Sequence, residues 1–554
     1  MNTDLKIAQS AELRPISEIA AKLGLAPTDI VPYGHHKAKI PLEVVKAKGG
    51  ETGHLVLVTG ISPTPAGEGK STVAVGLADA LTLRRRNPVL CLREPSLGPV
   101  FGMKGGATGG GYSQVVPMEE INLHFTGDFH AITSAHALLS AVLDNHLFRP
   151  NTLNIDPTAI TWPRAIDMND RALRHIEVGL GGPKSGVPRK DGFVITAASE
   201  VMAIFCLADG LDDLKARLDR IIIGYTSDGE PIRAEGLGVS GAMTALLKDA
   251  MDPNLVQTLG GTPALVHGGP FANIAHGCNS LAATRAGLAL GDVVVTEAGF
   301  GADLGAEKFF DIKCRFGNLR PGAAVVVATV RALKMNGGVA KEDLATESVE
   351  AVQRGFANLA GHVRNVRKFG VPPVVAINRF ATDTEAEVAA VVEGCEALGV
   401  SAVVADPWGG GGSGCLDLAD AVWAILESGE ADYRPLYPND LSLTAKIETI
   451  AREIYGADGV DVEEKAAAEI ARLEAAGLGS FPVCVAKTQY SFSDDASLLG
   501  RPTGFRISVR EVTASAGAGF VVAKTGSIMT MPGLGPEPSA MDVDVRDGVI
   551  TGLF

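Results

Sequence analysis

The sequence predicts an α/β protein: a large, mostly parallel sheet with helices on both faces, a second smaller α/β domain and a small β-rich C-terminal domain. Three observations predict it. Short, continuous β-branched runs recur along most of the chain, and such runs mark strands buried on both faces. Longer helical patterns lie between them, the alternation expected of a parallel sheet with crossover helices. After about Ser480 the helical texture gives way to strand-like runs with little between them.

In chain order, residues 55–59 are the first buried run, followed by a glycine turn and a helix from Lys70 to about Leu83. Residues 88–92, 292–296, 323–327, 373–377 and 401–405 repeat the style. The Ala- and Glu-rich stretch 441–476 predicts helix. Residues 505–511, 520–524 and 541–545 predict the C-terminal strands. The expected domains are 1–337, 338–478 and 479–554, the first break falling at the Gly337-Gly338 pair. No internal repeat is visible, which excludes solenoids and propellers.

Composition narrows the function. At 554 residues and 46% hydrophobic content, disorder is excluded as the general state. Glycine is the outlier: 66 of 554 residues, about 12% against a usual roughly 7%, without the period of collagen. With 49 Lys and Arg against 64 Asp and Glu, the net charge of −15 argues against nucleic acid or an anionic membrane surface as partner. The seven cysteines are scattered, with no CxxC pair, so neither a zinc site nor a disulfide framework is expected and a reducing compartment is. Residues 1–14 lack the apolar core of a signal peptide. No uncharged run reaches the roughly 18–20 residues needed to span a bilayer. The expected address is the cytoplasm.

The strongest motif is Thr64-Pro-Ala-Gly-Glu-Gly-Lys-Ser71, after a buried run and before a helix. That context is the one a phosphate-binding loop requires. Thr64, Pro65, Ala66, Gly67, Glu68, Gly69, Lys70 and Ser71 are the expected ATP-binding residues. Gly67 and Gly69 allow backbone N–H groups to converge on phosphate oxygens. Lys70 brings positive charge to the β- and γ-phosphates, Ser71 offers its hydroxyl to Mg²⁺, and the helix dipole points at the same anion. Thr64 departs from the usual pattern, which has glycine there. No Asn-Lys-x-Asp tetrapeptide occurs, so guanine is not the expected base.

Arg93 and Glu94 stand at the carboxyl end of the second run, where sheets of this type bind ligands. Arg93 suits an anion held bidentately; a surface ion pair with Glu94 is the alternative. Residues 102–111 hold six glycines and Lys104, a mobile cover or a flexible connection. His124, Asp128 and His130 cluster nearby at a spacing that matches no common zinc motif. General-base, hydrogen-bonding and structural roles all stay open for them.

Long stretches of the chain resemble the formate–tetrahydrofolate ligase family. Besides the phosphate loop, they are Arg93-Glu-Pro-Ser-Leu-Gly-Pro-Val-Phe-Gly102, His124-Phe-Thr-Gly-Asp-Phe-His-Ala-Ile-Thr133 and Phe271-Ala-Asn-Ile-Ala-His-Gly-Cys-Asn-Ser280. Thr296-Glu-Ala-Gly-Phe-Gly-Ala-Asp-Leu-Gly-Ala-Glu-Lys-Phe309, Ala486-Lys-Thr-Gln-Tyr-Ser-Phe-Ser-Asp-Asp495 and Ile528-Met-Thr-Met-Pro-Gly533 complete the set. The resemblance implies that ATP phosphorylates formate and that N10 of tetrahydrofolate then attacks formyl phosphate. It also implies Mg²⁺ with ATP, a monovalent cation activator (K⁺ or NH₄⁺) and a homotetramer. Lys70, Arg93, Glu94, His124 and Asp128 form the expected catalytic set. Phe380 and Trp408 match the aromatic pair thought to sandwich the pterin, with Phe300 and Glu297 as further candidates for that cleft.

The chain departs from the family's usual pattern at three places: Ser134-Ala-His136-Ala137, Asn336 and Gly526-Ser527. Two other readings compete, a nucleotide-dependent switch ATPase and an ATP-dependent ligase for another carboxylate. The length, the aromatic-plus-glycine segment 406–414 and the β-rich C-terminus weigh against the switch, and length weighs against the second ligase type. The glycines at 299, 301 and 409–412 also follow predicted strand ends, where they are expected to bring backbone close to ligands.

Overall fold

The computed structural model describes residues 3–65, 67–102, 108–526 and 528–553. Ala66, Lys104 and Ser527 lie outside the described residues. The predicted runs form strands β1 (His54–Gly60), β2 (Pro88–Leu92), β4 (Val293–Glu297), β5 (Pro321–Ala328), β6 (Pro373–Asn378) and β7 (Ala402–Ala405). A further strand, β3 (Pro263–Val266), escaped the sequence reading because only three apolar residues separate Pro263 from His267.

These strands are all parallel, in the spatial order β3-β2-β4-β1-β5-β6-β7. Beyond β3 the sheet turns antiparallel through Asn254–Thr258 and continues to Ala38–Lys39, making 12 strands among the described residues. The protein is therefore mixed α/β with a large, mostly parallel sheet.

Strand parity explains why the runs are continuously apolar. Leu55 and Leu57 of β1 pack on one face with Val294, Ala324, Val326 and Val375. Val56 and Val58 pack on the other with Val293, Val295, Ala323, Val325 and Val374. Each buried Val or Leu is worth about 1.5–3 kcal/mol, so both faces select branched apolar side chains. Helix α1 (Lys70–Leu83) covers the second face together with α5 (Leu416–Ser428). Helices α3 (Leu281–Leu290) and α4 (Val349–Lys368) cover the first, where α2 (Asp128–Phe148) joins the same core.

The break expected after residue 337 falls inside this sheet. β6 lies beyond it, yet pairs with β5 from Ala324↔Pro373 to Ala328↔Ile377, and β7 extends β6. The stretch read as one helix over 441–476 is instead Leu443–Ile450, a π turn at Ala451–Tyr455, the strand Val460–Val462 and the helix Glu464–Ala475. Gly456, at φ +77°, ends the first helix in the left-handed region that glycine enters without strain. The C-terminal part is rich in strands, as read: Val483–Ala486, Phe520–Lys524 and Glu511–Ser515 form one small sheet. Ile507–Val509 pairs with Val460–Val462, across the second expected boundary.

Of the glycines at 409–412, Gly412 has a packing role. A Cβ on Gly412 would stand 2.7 Å from Cβ of Asp79, so that glycine lets the loop after β7 lie directly on α1. All seven cysteines are buried and free. Among the described residues no helix is long and apolar enough to cross a membrane.

Candidate active site

Parallel strands send all their carboxyl ends to one edge of the sheet, and the loops there hold nearly every candidate residue. The loop after β1 is held in shape from within. Gly67 and Gly69 have φ of +73° and +71°. A Cβ on Gly69 would lie 2.4 Å from Nδ2 of Asn378, the last residue of β6, so a side chain is excluded by space as well as by conformation. That Asn378 amide donates to the Glu68 carbonyl at 3.0 Å. The buried Glu68 carboxylate accepts from both the backbone N–H and the hydroxyl of Thr64, at 2.6 and 2.9 Å. Thr64, the position that breaks the glycine pattern, is thus clasped by a loop side chain. Lys70 Nζ stands 4.0 Å from Glu68 Oε2, and its stem lies over Gly60, where a Cβ would come within 3.1 Å of Lys70 Cδ.

Beside this loop is a cavity of about 220 Å³ lined by Ser71, Arg93, Glu94, Phe271 and Glu297 among others. The Ser71 hydroxyl donates to Glu297 Oε2 at 2.7 Å. Arg93 Nη2 is 3.6 Å from Glu297 Oε1, and its Nη1 donates to the Pro270 carbonyl at 3.5 Å. The sequence reading assigned Glu297 to the aromatic cleft. The structure joins it to the loop serine, because β4 lies directly between β1 and β2.

Glu94 and Pro95 also line a second cavity of about 220 Å³, with His124, Phe129, His130, Thr133 and Asp167. Burial pushes the Glu94 carboxyl well above the usual carboxylate range; Asp128 and Asp167 push the same way and Lys39 opposes them. Asp128, the first residue of α2, is buried in an ion pair with Lys39 at 2.9 Å and accepts from Asn254 Nδ2 at 2.7 Å. Its carboxylate is thereby committed to protein partners, whereas His124 and His130 are exposed.

The aromatic candidates follow three strand ends. Phe300, after β4, has φ +63°, a conformation rare for a bulky residue. Phe380, after β6, carries the Arg331 guanidinium 3.6 Å from its ring centroid. Trp408, after β7, is 41% exposed, and its carbonyl accepts from Tyr112 N at 2.9 Å. Arg379 N donates to the Ala405 carbonyl at 3.0 Å, so the Phe380 and Trp408 loops leave neighbouring strands side by side.

The family described as Formate--tetrahydrofolate ligase matches residues 2–554. The chain belongs to that family. A formate–tetrahydrofolate ligase of Paracoccus denitrificans (strain Pd 1222) is 60% identical over the whole of both chains. One from Granulibacter bethesdensis is 60% identical over all of this chain and 97% of its own. One from Symbiobacterium thermophilum is 59% identical over the whole of both. The chain is therefore an enzyme of a ligase family. Two of its departures from the usual formate–tetrahydrofolate ligase pattern have visible local roles. His136 stacks on Trp162 with centroids 4.1 Å apart and bonds the Pro163 carbonyl at 2.7 Å; burial pushes its pKa down to about 4, so the ring is neutral. Asn336 accepts from Gly500 N at 3.0 Å.

Proposed function

We propose that the chain catalyses the ATP-dependent ligation of formate to tetrahydrofolate through formyl phosphate. A formate oxygen attacks the γ-phosphorus and ADP leaves. N10 then attacks the formyl carbon, the C–O bond to phosphate breaks, and N10 loses its proton, giving 10-formyltetrahydrofolate. The observation that carries the reading is the convergence of Ser71, Arg93 and Glu297 on one cavity beside the 64–71 loop. Phosphoryl transfer to a small carboxylate needs positioning and charge neutralisation more than covalent catalysis. Lys70 would neutralise the β- and γ-phosphates, and Arg93 would hold formate and then formyl phosphate by its planar fork. Ser71 Oγ and Glu297 Oε2, 2.7 Å apart, are hard oxygen donors of the kind Mg²⁺ accepts alongside phosphate oxygens. Bound there, Mg²⁺ would offset charge on the transferring phosphoryl group.

Phe380 and Trp408 are read as the pterin clamp, supported by their adjacent loops and by the exposed indole, with Phe300 as a further candidate. The reading also includes activation by K⁺ or NH₄⁺, a homotetramer and a cytoplasmic address. The first two rest on the family and the third on the scattered cysteines, and sedimentation of the purified chain tests the second.

Sustained ADP formation should require formate, tetrahydrofolate and Mg-ATP together. Equal ADP release with formate omitted would sink the proposal. Trp408→Ala should raise the KM for tetrahydrofolate about tenfold, the loss of one stacked ring worth roughly 1–1.5 kcal/mol. ATP affinity should stay near normal. An unchanged folate KM would make Trp408 a packing residue.

A further inference from the structure

The stretch 486–495 and the departure at Asn336 take no part in the mechanism above, yet both lead to the root of the phosphate loop. Ser62, two residues after β1, is buried, and both of its polar groups are held by α4. Its N–H donates to Asn358 Oδ1 at 3.3 Å, and Asn358 Nδ2 donates back to Ser62 Oγ at 3.0 Å. Ser62 Oγ also shares a hydrogen bond with His362 Nε2, 3.1 Å away. Burial drives His362 down to about 3, so the ring is neutral.

Behind these two residues stands a second tier. Asn358 Nδ2 also donates to the Gly500 carbonyl at 2.7 Å, and Gly500 is held by Asn336. His362 stacks on Phe492 at 4.5 Å, and its Nδ1 faces Asp303 Oδ1 at 4.0 Å. Asp303 in turn pairs with Lys487 at 2.9 Å, both fully buried. Gly301 closes the group: a Cβ there would lie 3.0 Å from His362 Cε1 and 3.1 Å from the Ile61 carbonyl. The loop root, the turn after Phe300 and the segment 487–501 therefore meet on one helix face.

We infer that His362 and Asn358 are positioning residues for phosphoryl transfer, holding Ser62 so that the 64–71 loop keeps its nucleotide-binding shape, with residues 487–501 as their brace. The inference rests on the reading of 64–71 as the nucleotide loop. It requires the Ser62 hydroxyl and His362 Nε2 to act as one unit.

The test is ADP binding by calorimetry, with melting temperature followed in parallel. Ser62→Ala and His362→Phe, which keeps a ring against Phe492, should each weaken ADP about tenfold, the usual worth of one buried hydrogen bond. The double variant should be no weaker than the worse single one, since residues sharing an interaction are non-additive. His362→Gln, whose amide can donate to or accept from Ser62 Oγ in place of Nε2, should recover most of the loss. Unchanged ADP affinity with only a lower melting temperature would overturn the inference, as would additive losses in the double variant. If His362→Phe does not fold, Ser62→Ala decides alone: wild-type ADP affinity there refutes it. A wild-type protein that binds no ADP would remove the loop reading and this inference together. One that binds ADP but turns over without formate would remove only the proposed reaction.

Discussion

Lys70→Met should lower kcat/KM for ATP by about a thousandfold, the scale of losing a charge that stabilises a phosphoryl-transfer transition state. Methionine keeps an unbranched stem over Gly60, where the lysine chain lies, and removes the ammonium group. The loop itself should survive, because Glu68 keeps both hydrogen bonds from Thr64 and Asn378 keeps its bond to the Glu68 carbonyl. The melting temperature is therefore expected to move little while turnover collapses. Initial rates of ADP formation at varied ATP measure the first and a thermal melt the second. Retention of a tenth or more of wild-type kcat/KM would remove Lys70 from the chemistry.

Arg93→Ala should cost about 10²–10³-fold in kcat/KM for formate and much less in ATP binding. Arg93 Nη2 lies 3.6 Å from Glu297, which also takes the Ser71 hydroxyl, so the guanidinium lines the cavity beside the 64–71 loop. Removing it leaves Glu297 as uncompensated negative charge where an anionic substrate must bind. Arg93→Lys should recover only part of the loss, because an ammonium keeps the charge but not the planar fork. Rates at varied formate and saturating ATP and tetrahydrofolate decide it; an unchanged formate KM and kcat in Arg93→Ala would end the assignment.

How far the sequence reveals this site depends on whether a residue's partners are near in the chain. The glycine loop, the lysine at the start of α1 and Arg93 at the end of β2 were legible because a strand–loop–helix unit is local and the carboxyl ends of parallel strands form one edge. The Ser71–Glu297 bond joins residues 226 apart. The Lys39–Asp128 pair, which occupies an expected catalytic carboxylate, joins residues 89 apart. No periodicity or motif encodes such pairings. They follow from strand order, which puts β4 between β1 and β2 and carries the short strand Ala38–Lys39 onto the antiparallel edge of the sheet. The domain reading met the same limit: a glycine pair at 337–338 looks like a boundary along the chain, while β6 and β7 continue the sheet beyond it.

By itself, then, the sequence determined the class of fold, the strands of the sheet's centre and the family. Each is written in local order, in apolar runs that must be buried on both faces and in residues whose backbone freedom or charge is needed at one spot. Only the tertiary structure decided that Glu297 belongs with Ser71 and Arg93, that Asp128 is committed to Lys39, and that the root of the 64–71 loop is held by α4 and residues 487–501. Those are buried polar contacts between distant segments. A buried polar group must find a partner, but which partner it finds is set by how the strands and helices are stacked.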